Sequence, residues 1–125
     1  MPAPSSASTH HAAAAPTKLM SGEAYRESLR GYTPRVYVDG REVASVVDEP
    51  ALRPGVNALA FTYDLALRPE LAPIALATQT HHGREAHRVV NRMLHVNESA
   101  GDLLNKLEVV RLLCQETGCA QRYLA

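Results

Sequence analysis

The sequence predicts a mainly α-helical domain that carries one small β-hairpin. Three observations predict it. Val56 to Leu67 and Leu103 to Thr117 each repeat apolar residues at the one-face spacing of a helix. Both stretches are bounded by helix punctuation, prolines around the first and a serine before the second. Asp39-Gly40 separates two short runs of alternating apolar residues, and that pair is favoured in two-residue hairpin turns.

Taken in order, residues 1–18 are dominated by Ala, Pro, Ser, Thr and His. Such a segment buries too little apolar surface to offset its ordering entropy, so it reads as a disordered tail. His10 and His11 read as an unstructured pair within it, with weak metal binding as the alternative. Order is expected from residue 19 to residue 125. In "SGEAYRESLRG", Ser21 is an N-cap, Glu23 lies in the first turn and Gly31 marks the stop, while Tyr25 and Leu29 share a face. "RVYVDGREV" gives a hairpin over Arg35 to about Val46, which must lie against helices because two strands alone are marginal.

Pro50 and Pro54 suit first-turn positions and Pro69 ends the next run. Val56, Leu59, Ala60, Tyr63 and Leu67 between them predict a helix over about 55–67. Residues 69–85 form a connection with room for a short extended piece at "IALAT". Residues 86–96 fit a helix by spacing and a strand by valine content. Ser99 with Asp102 three residues on is a capping-box-like start. Leu103, Leu107, Val110, Cys114 and Thr117 then define the apolar face of a helix from about Ala100 to the end, interrupted by Gly118. No stop signal follows Ala125, so the pattern reads either as a polypeptide that continues or, equally, as a small helical protein with a frayed end.

Composition narrows the function classes. The chain has 125 residues, enough for one core. Thirteen basic side chains balance thirteen acidic ones, which argues against nucleic-acid or anionic-membrane binding. No run approaches a membrane span, and the N-terminal residues lack the basic start and apolar stretch of a secretory signal. With two cysteines and no export signal, the expectation is a cytoplasmic protein without a disulfide framework.

Several constellations bear on chemistry. On a continuous helix Cys114 and Cys119 point about 140° apart, which excludes a shared ion or a strain-free disulfide while both are helical. Cys114 reads as core packing and Cys119 as a thiol off the apolar stripe. Glu108, Arg111, Gln115, Cys119 and Arg122 form a second stripe. It is either a solvated face or an arginine-bearing cleft wall able to take a carboxylate, phosphate or phenolate. His81, His82 and His87 lack metal-ligand spacing, and His95 reads as a half-buried structural residue between Leu94 and Val96. No phosphate loop, nucleophile elbow or CxxC is present. These residues name a fold class and one helix of interest, and no reaction.

The order of "LMSGEAYRESLR", "RVYVDGREV", "DEPALRPGVNALAFTYDLA" and "NRMLHVNESAGDLLNKLEVVRLLCQETGCAQRY" resembles the N-terminal region of the 4-hydroxyphenylacetate 3-hydroxylase family over residues 19–125. That family also contains 4-hydroxybutyryl-CoA dehydratase. The resemblance implies the helical N-terminal domain of an acyl-CoA-dehydrogenase-like fold. A middle β-barrel-like domain and a C-terminal helical bundle complete the fold, in a homo-oligomer that uses FAD. The hydroxylases take reduced FAD from a separate flavin reductase and hydroxylate a phenol. The dehydratases add a 4Fe-4S cluster.

Residue by residue, Cys119 matches the first cysteine of the dehydratases' cluster motif CxxxC, and Tyr123 stands at the second. Iron–sulfur ligands are overwhelmingly cysteine. The expectation is therefore a flavin-dependent aromatic hydroxylase without a cluster. Arg122 resembles the arginine that holds the phenolic substrate, with Tyr123 beside it. Arg111 resembles a dehydratase active-site arginine, across a one-residue gap. The chain by itself is expected neither to bind FAD tightly nor to turn over, and to need the missing domains in line or from a split subunit. A portion of a dehydratase is the alternative. A non-enzymatic helical interaction module or truncated gene product, associating through the last helix, is the third reading.

Overall fold

A computed structural model describes residues 18–80 and 88–119. The expected tail falls outside the described residues except for Lys18. The elements are helix α1 (Gly22–Gly31), strands β1 (Val36–Val38) and β2 (Arg41–Val43), and helix α2 (Arg53–Ala66). A 3₁₀ turn (Pro69–Leu71) and the short helix α3 (Ala72–Ala75) follow. Strands β3 (Leu76–Gln79) and β4 (Arg88–Asn91), a second 3₁₀ turn (Arg92–Leu94) and helix α4 (Ala100–Thr117) complete the order.

Local chemistry starts and stops these elements much as the sequence predicts. Ser21 caps α1 by accepting the Ala24 N–H. Ser99 caps α4 by accepting the Asp102 N–H. Pro54 occupies the first turn of α2, where its missing N–H is not needed, and Pro50 lies in the turn before it. In the first hairpin Asp39 and Gly40 both adopt positive φ, 50° and 75°, which a twist-matched two-residue turn requires. Val36 then faces Val43 and Tyr37 faces Glu42.

The structure contains a second antiparallel pair that the sequence left open. Ala77 faces Val90 and Thr78 faces Val89. Val89 and Val90 of the ambiguous stretch are thus strand residues, because cross-strand neighbours decide where helical spacing and β-branching conflict.

Helix α1 lies against α2, where the Tyr25 and Tyr63 rings stack at 4.8 Å. Burial, and secondarily the neighbouring Tyr25, raises the Tyr63 phenol above its ordinary value. The core lies among α2, α3 and α4. Leu65, Ala75, Val109 and Leu113 form its buried centre, with Phe61, Leu71, Ile74, Met93 and Leu112 around it.

Two expectations about α4 are corrected. The helix stops at Thr117, because Gly118 turns left-handed (φ 61°) and Cys119 follows it at φ 65°. The buried stripe is also rotated from the one predicted. Leu103 and Leu107 stay exposed, while Asp102, Lys106, Val109 and Leu113 share the inward face. Its first half is polar, so apolar periodicity alone reads the wrong side.

Candidate functional site

Helix α4 carries the residues that the sequence singles out, and a buried polar cluster anchors its first turn. Arg92 is 5% exposed, although it follows directly on a strand. Its Nε donates to the Ile74 carbonyl at 2.6 Å, one Nη donates to the Leu76 carbonyl, and the other donates to Asp102 Oδ1 at 2.7 Å. One guanidinium fork thereby joins α3, β3 and α4. Asp102 Oδ2 also accepts the Glu98 N–H at 3.1 Å and lies 3.3 Å from His95 Nε2. The Arg92 hydrogen bond, and after it the Glu98 N–H, holds the Asp102 carboxyl below the usual carboxylate range.

His95 is fully buried, and its Nδ1 has no hydrogen-bond partner among the described residues. Lys106 donates to the His95 carbonyl at 3.1 Å. Glu98 accepts the Thr80 hydroxyl and N–H, which tie it to the end of β3 and lower its carboxyl below the usual range. Asn91 donates to the Thr62 carbonyl at 3.1 Å and so joins β4 to α2. Sequence reasoning found His95 as structural and Asp102 as a cap. It missed Arg92 and Asn91, whose partners lie 18 and 29 residues away.

Farther along α4, Arg111 lies on the exposed face. Glu108 holds its Nε at 2.9 Å and its Nη2 at 2.5 Å, and Gln115 accepts from Nη1 at 3.0 Å. The pair raises Arg111 and lowers Glu108 relative to their ordinary values. The guanidinium is therefore preoriented rather than free. The predicted second stripe extends along α4 as far as Gln115. Cys119 comes after the cap and is exposed, and its N–H donates to the Cys114 carbonyl at 2.8 Å. Arg122 and Tyr123 lie outside the described residues, as do His10, His11, His81, His82 and His87.

Among the described residues no three His, Cys, Asp or Glu side chains converge as a metal site. No described helix is long and apolar enough to cross a membrane. A cleft of about 420 Å³ lies between α1 and the first hairpin, away from α4. Its lining arginines are already engaged, Arg30 with Glu27 and Asp48, and Arg35 with Glu42. A second cleft of about 240 Å³ is mostly apolar and is lined by Tyr25, Leu59, Thr62, Tyr63, Met93 and Leu94. Neither brings Arg111 and Cys119 together around a closed pocket.

Residues 21–125 match the family model described as 4-hydroxyphenylacetate 3-hydroxylase N terminal. The chain belongs to this family. Over 105 residues it is 38% identical to the 4-hydroxybutyryl-CoA dehydratase/vinylacetyl-CoA-Δ-isomerase of Clostridium aminobutyricum, covering 83% of the chain and 21% of that protein. The structure of an oxygen-tolerant archaeal 4-hydroxybutyryl-CoA dehydratase from N. maritimus superposes with a TM-score of 0.70 at 46% identity, over 84% of the chain and 20% of that structure. A mutant of HpaB complexed with FAD superposes with a TM-score of 0.59 at 20% identity, over 78% of the chain and 19% of that structure. The last likeness is one of fold. The chain spans about a fifth of the length of these family members. Mostly helical architecture with small antiparallel strand pairs is thus the N-terminal domain architecture of this family.

Proposed function

We propose that this chain is the N-terminal portion of a 4-hydroxybutyryl-CoA dehydratase-like enzyme, acting on an acyl-CoA together with the rest of the family's polypeptide. The observation that carries the reading is 46% identity to the archaeal dehydratase over most of the chain, against 20% to HpaB. It moves the weight from the hydroxylase branch, which the sequence alone favours, to the dehydratase branch. In this reading α4 is one wall of a site completed by the middle and C-terminal domains, and the complete protein is a homo-oligomer. Arg111, held in a fork by Glu108 and Gln115, presents its charge to an acidic substrate group. The exposed Leu103, Leu104 and Leu107 give the remaining domains an apolar face to cover.

In this reading FAD supplies the redox chemistry and lies between this domain and those that complete the fold, which carry most of the groups that would hold it. A 4Fe-4S cluster fits the described residues poorly. Cys119 offers an exposed thiol, no three ligand-type side chains gather at it among the described residues, and Tyr123 occupies the other motif position. That same tyrosine favours a second reading, a reduced-FAD-dependent aromatic hydroxylase served by a flavin reductase, with Arg122 and Tyr123 facing a phenolic substrate.

Segment exchange separates the two readings. Residues 21–125 replace the matching segment of the archaeal dehydratase, with Tyr123 and with Tyr123→Cys, and separately that of HpaB. Dehydration of 4-hydroxybutyryl-CoA by either dehydratase chimera, with no phenol hydroxylation by the HpaB chimera, is the expected result. Hydroxylation by the HpaB chimera while both dehydratase chimeras stay inert overturns the proposal.

A further inference from the structure

Cys114 and Cys119 are brought together by the way α4 ends. Counting back from the left-handed Gly118, Cys114 is the fourth residue from the C-terminal end of the helix and Cys119 the second residue beyond it. These are two positions whose side chains are frequently in contact when a helix closes with a six-to-one hydrogen bond. That bond is present, Cys119 N–H to Cys114 carbonyl at 2.8 Å, and the same carbonyl accepts the Gly118 N–H. With backbone bond lengths fixed, it caps the separation of the two Cα atoms at about 6.7 Å. Disulfides span Cα separations of roughly 4.4–6.8 Å. The 140° divergence expected on a continuous helix therefore does not apply, because Cys119 has left the helix.

We propose that Cys114 and Cys119 form a reversible dithiol–disulfide pair clasped over the C-terminal cap of α4. Both are thiols in this structure, Cys119 exposed and Cys114 half-buried, so their roles differ. Cys119 is the attacking thiol and Cys114 the resolving one. The oxidant is a low-molecular-weight disulfide. The Cys119 thiolate attacks one of its sulfurs, the S–S bond breaks, and one small thiol leaves with a proton. The Cys114 thiolate then attacks Cys119 Sγ in the mixed disulfide and expels the second small thiol, which takes the second proton. Two electrons pass from the protein pair to the small disulfide, which leaves as two thiols. Closure removes the Cys119 thiol from α4's exposed end. The inference rests on cap geometry and not on which branch of the family the chain represents.

The test equilibrates the full chain with graded ratios of oxidised to reduced glutathione, quenches with acid, alkylates and reads intramolecular closure by mass. Because these are the only cysteines in the chain, the assignment is direct. The measurement is made in native buffer and again in urea. A clasp preformed by the cap gives a closure constant about tenfold or more higher in the native chain than in the unfolded one. Gly118→Val, which opposes the left-handed turn, removes that native advantage and leaves the urea value unchanged. A native constant at or below the urea value overturns the proposal. So do native accumulation of the Cys119–glutathione mixed disulfide without closure, interchain dimers as the main product, or a native advantage that survives in Gly118→Val.

Discussion

Arg92 and Asp102 meet at 2.7 Å, ten residues apart, with the arginine side chain only 6% exposed. The contact fixes where α4 begins, and the same guanidinium satisfies the carbonyls of Ile74 and Leu76. Truncating it leaves those two carbonyls without their donor inside the fold. Arg92→Ala is expected to cost on the order of 3 kcal/mol. Arg92→Lys keeps the charge but cannot reproduce a three-way fork, so it recovers only part of the loss. Urea unfolding midpoints at constant slope measure both. A midpoint for Arg92→Ala equal to that of the unmodified chain contradicts the role.

The same cluster sets an acid limb. Arg92, then the Glu98 N–H, lowers the Asp102 carboxyl in the folded state, and Thr80 lowers that of Glu98. A depressed folded value means stabilisation that is complete above the unfolded value, near pH 4, and is lost as pH falls through the lower folded value. Stability is expected to be flat from neutral pH to about pH 5 and to fall below that. Asp102→Asn and Glu98→Gln should each start less stable and show a shallower acid limb. An unchanged limb in both variants removes these carboxylates from the account.

Gly22 donates its N–H to Asp64 Oδ1 at 2.8 Å, which draws α1 tightly onto α2. A Cβ at this glycine would lie 2.5 Å from Asp64 Oδ2 and 2.7 Å from the Ala60 carbonyl, and the second of these is backbone. Gly22→Ala must push the helices apart, at a cost of about 1–3 kcal/mol. Gly55, in the first turn of α2, has nothing within 4 Å of the place an added Cβ would take. Gly55→Ala should be neutral or stabilise by up to about 1 kcal/mol through the unfolded state. Thermal unfolding of the two variants should move in opposite directions or leave Gly55→Ala unmoved.

The elements that depend on neighbours in sequence are legible in the chain itself. Ser21, Ser99, Pro54 and Asp39-Gly40 act within three or four residues, so their chemistry is visible there. The pairing of β3 with β4 is not, because Ala77 and Val90 are chosen by each other across the sheet. Arg92 escapes sequence reading for a related reason. A charged residue after a strand reads as exposed until Ile74, Leu76 and Asp102 are seen around it. Of the candidate site, Arg111 is legible as a face residue, while its capture by Glu108 and Gln115 and the exit of Cys119 from the helix require three dimensions.

The orientation of α4 gives the last prediction. The sequence pattern turns Leu103 and Leu107 inward, whereas the structure turns Val109 and Leu113 inward and leaves Leu104 at 68% exposure. The polar first half explains the rotation. Asp102 and Lys106 face Arg92 and the His95 carbonyl, and the leucines beside them are carried outward. Leu113→Ala should therefore cost about 3 kcal/mol, as a cavity in a packed core does. Leu104→Lys should change the stability of the chain by less than about 0.5 kcal/mol. The same lysine should weaken assembly with the rest of the family's polypeptide, where that face is covered, and co-purification of the two parts measures this. Loss of folding in Leu104→Lys with a tolerated Leu113→Ala returns the helix to the orientation its apolar spacing alone predicts.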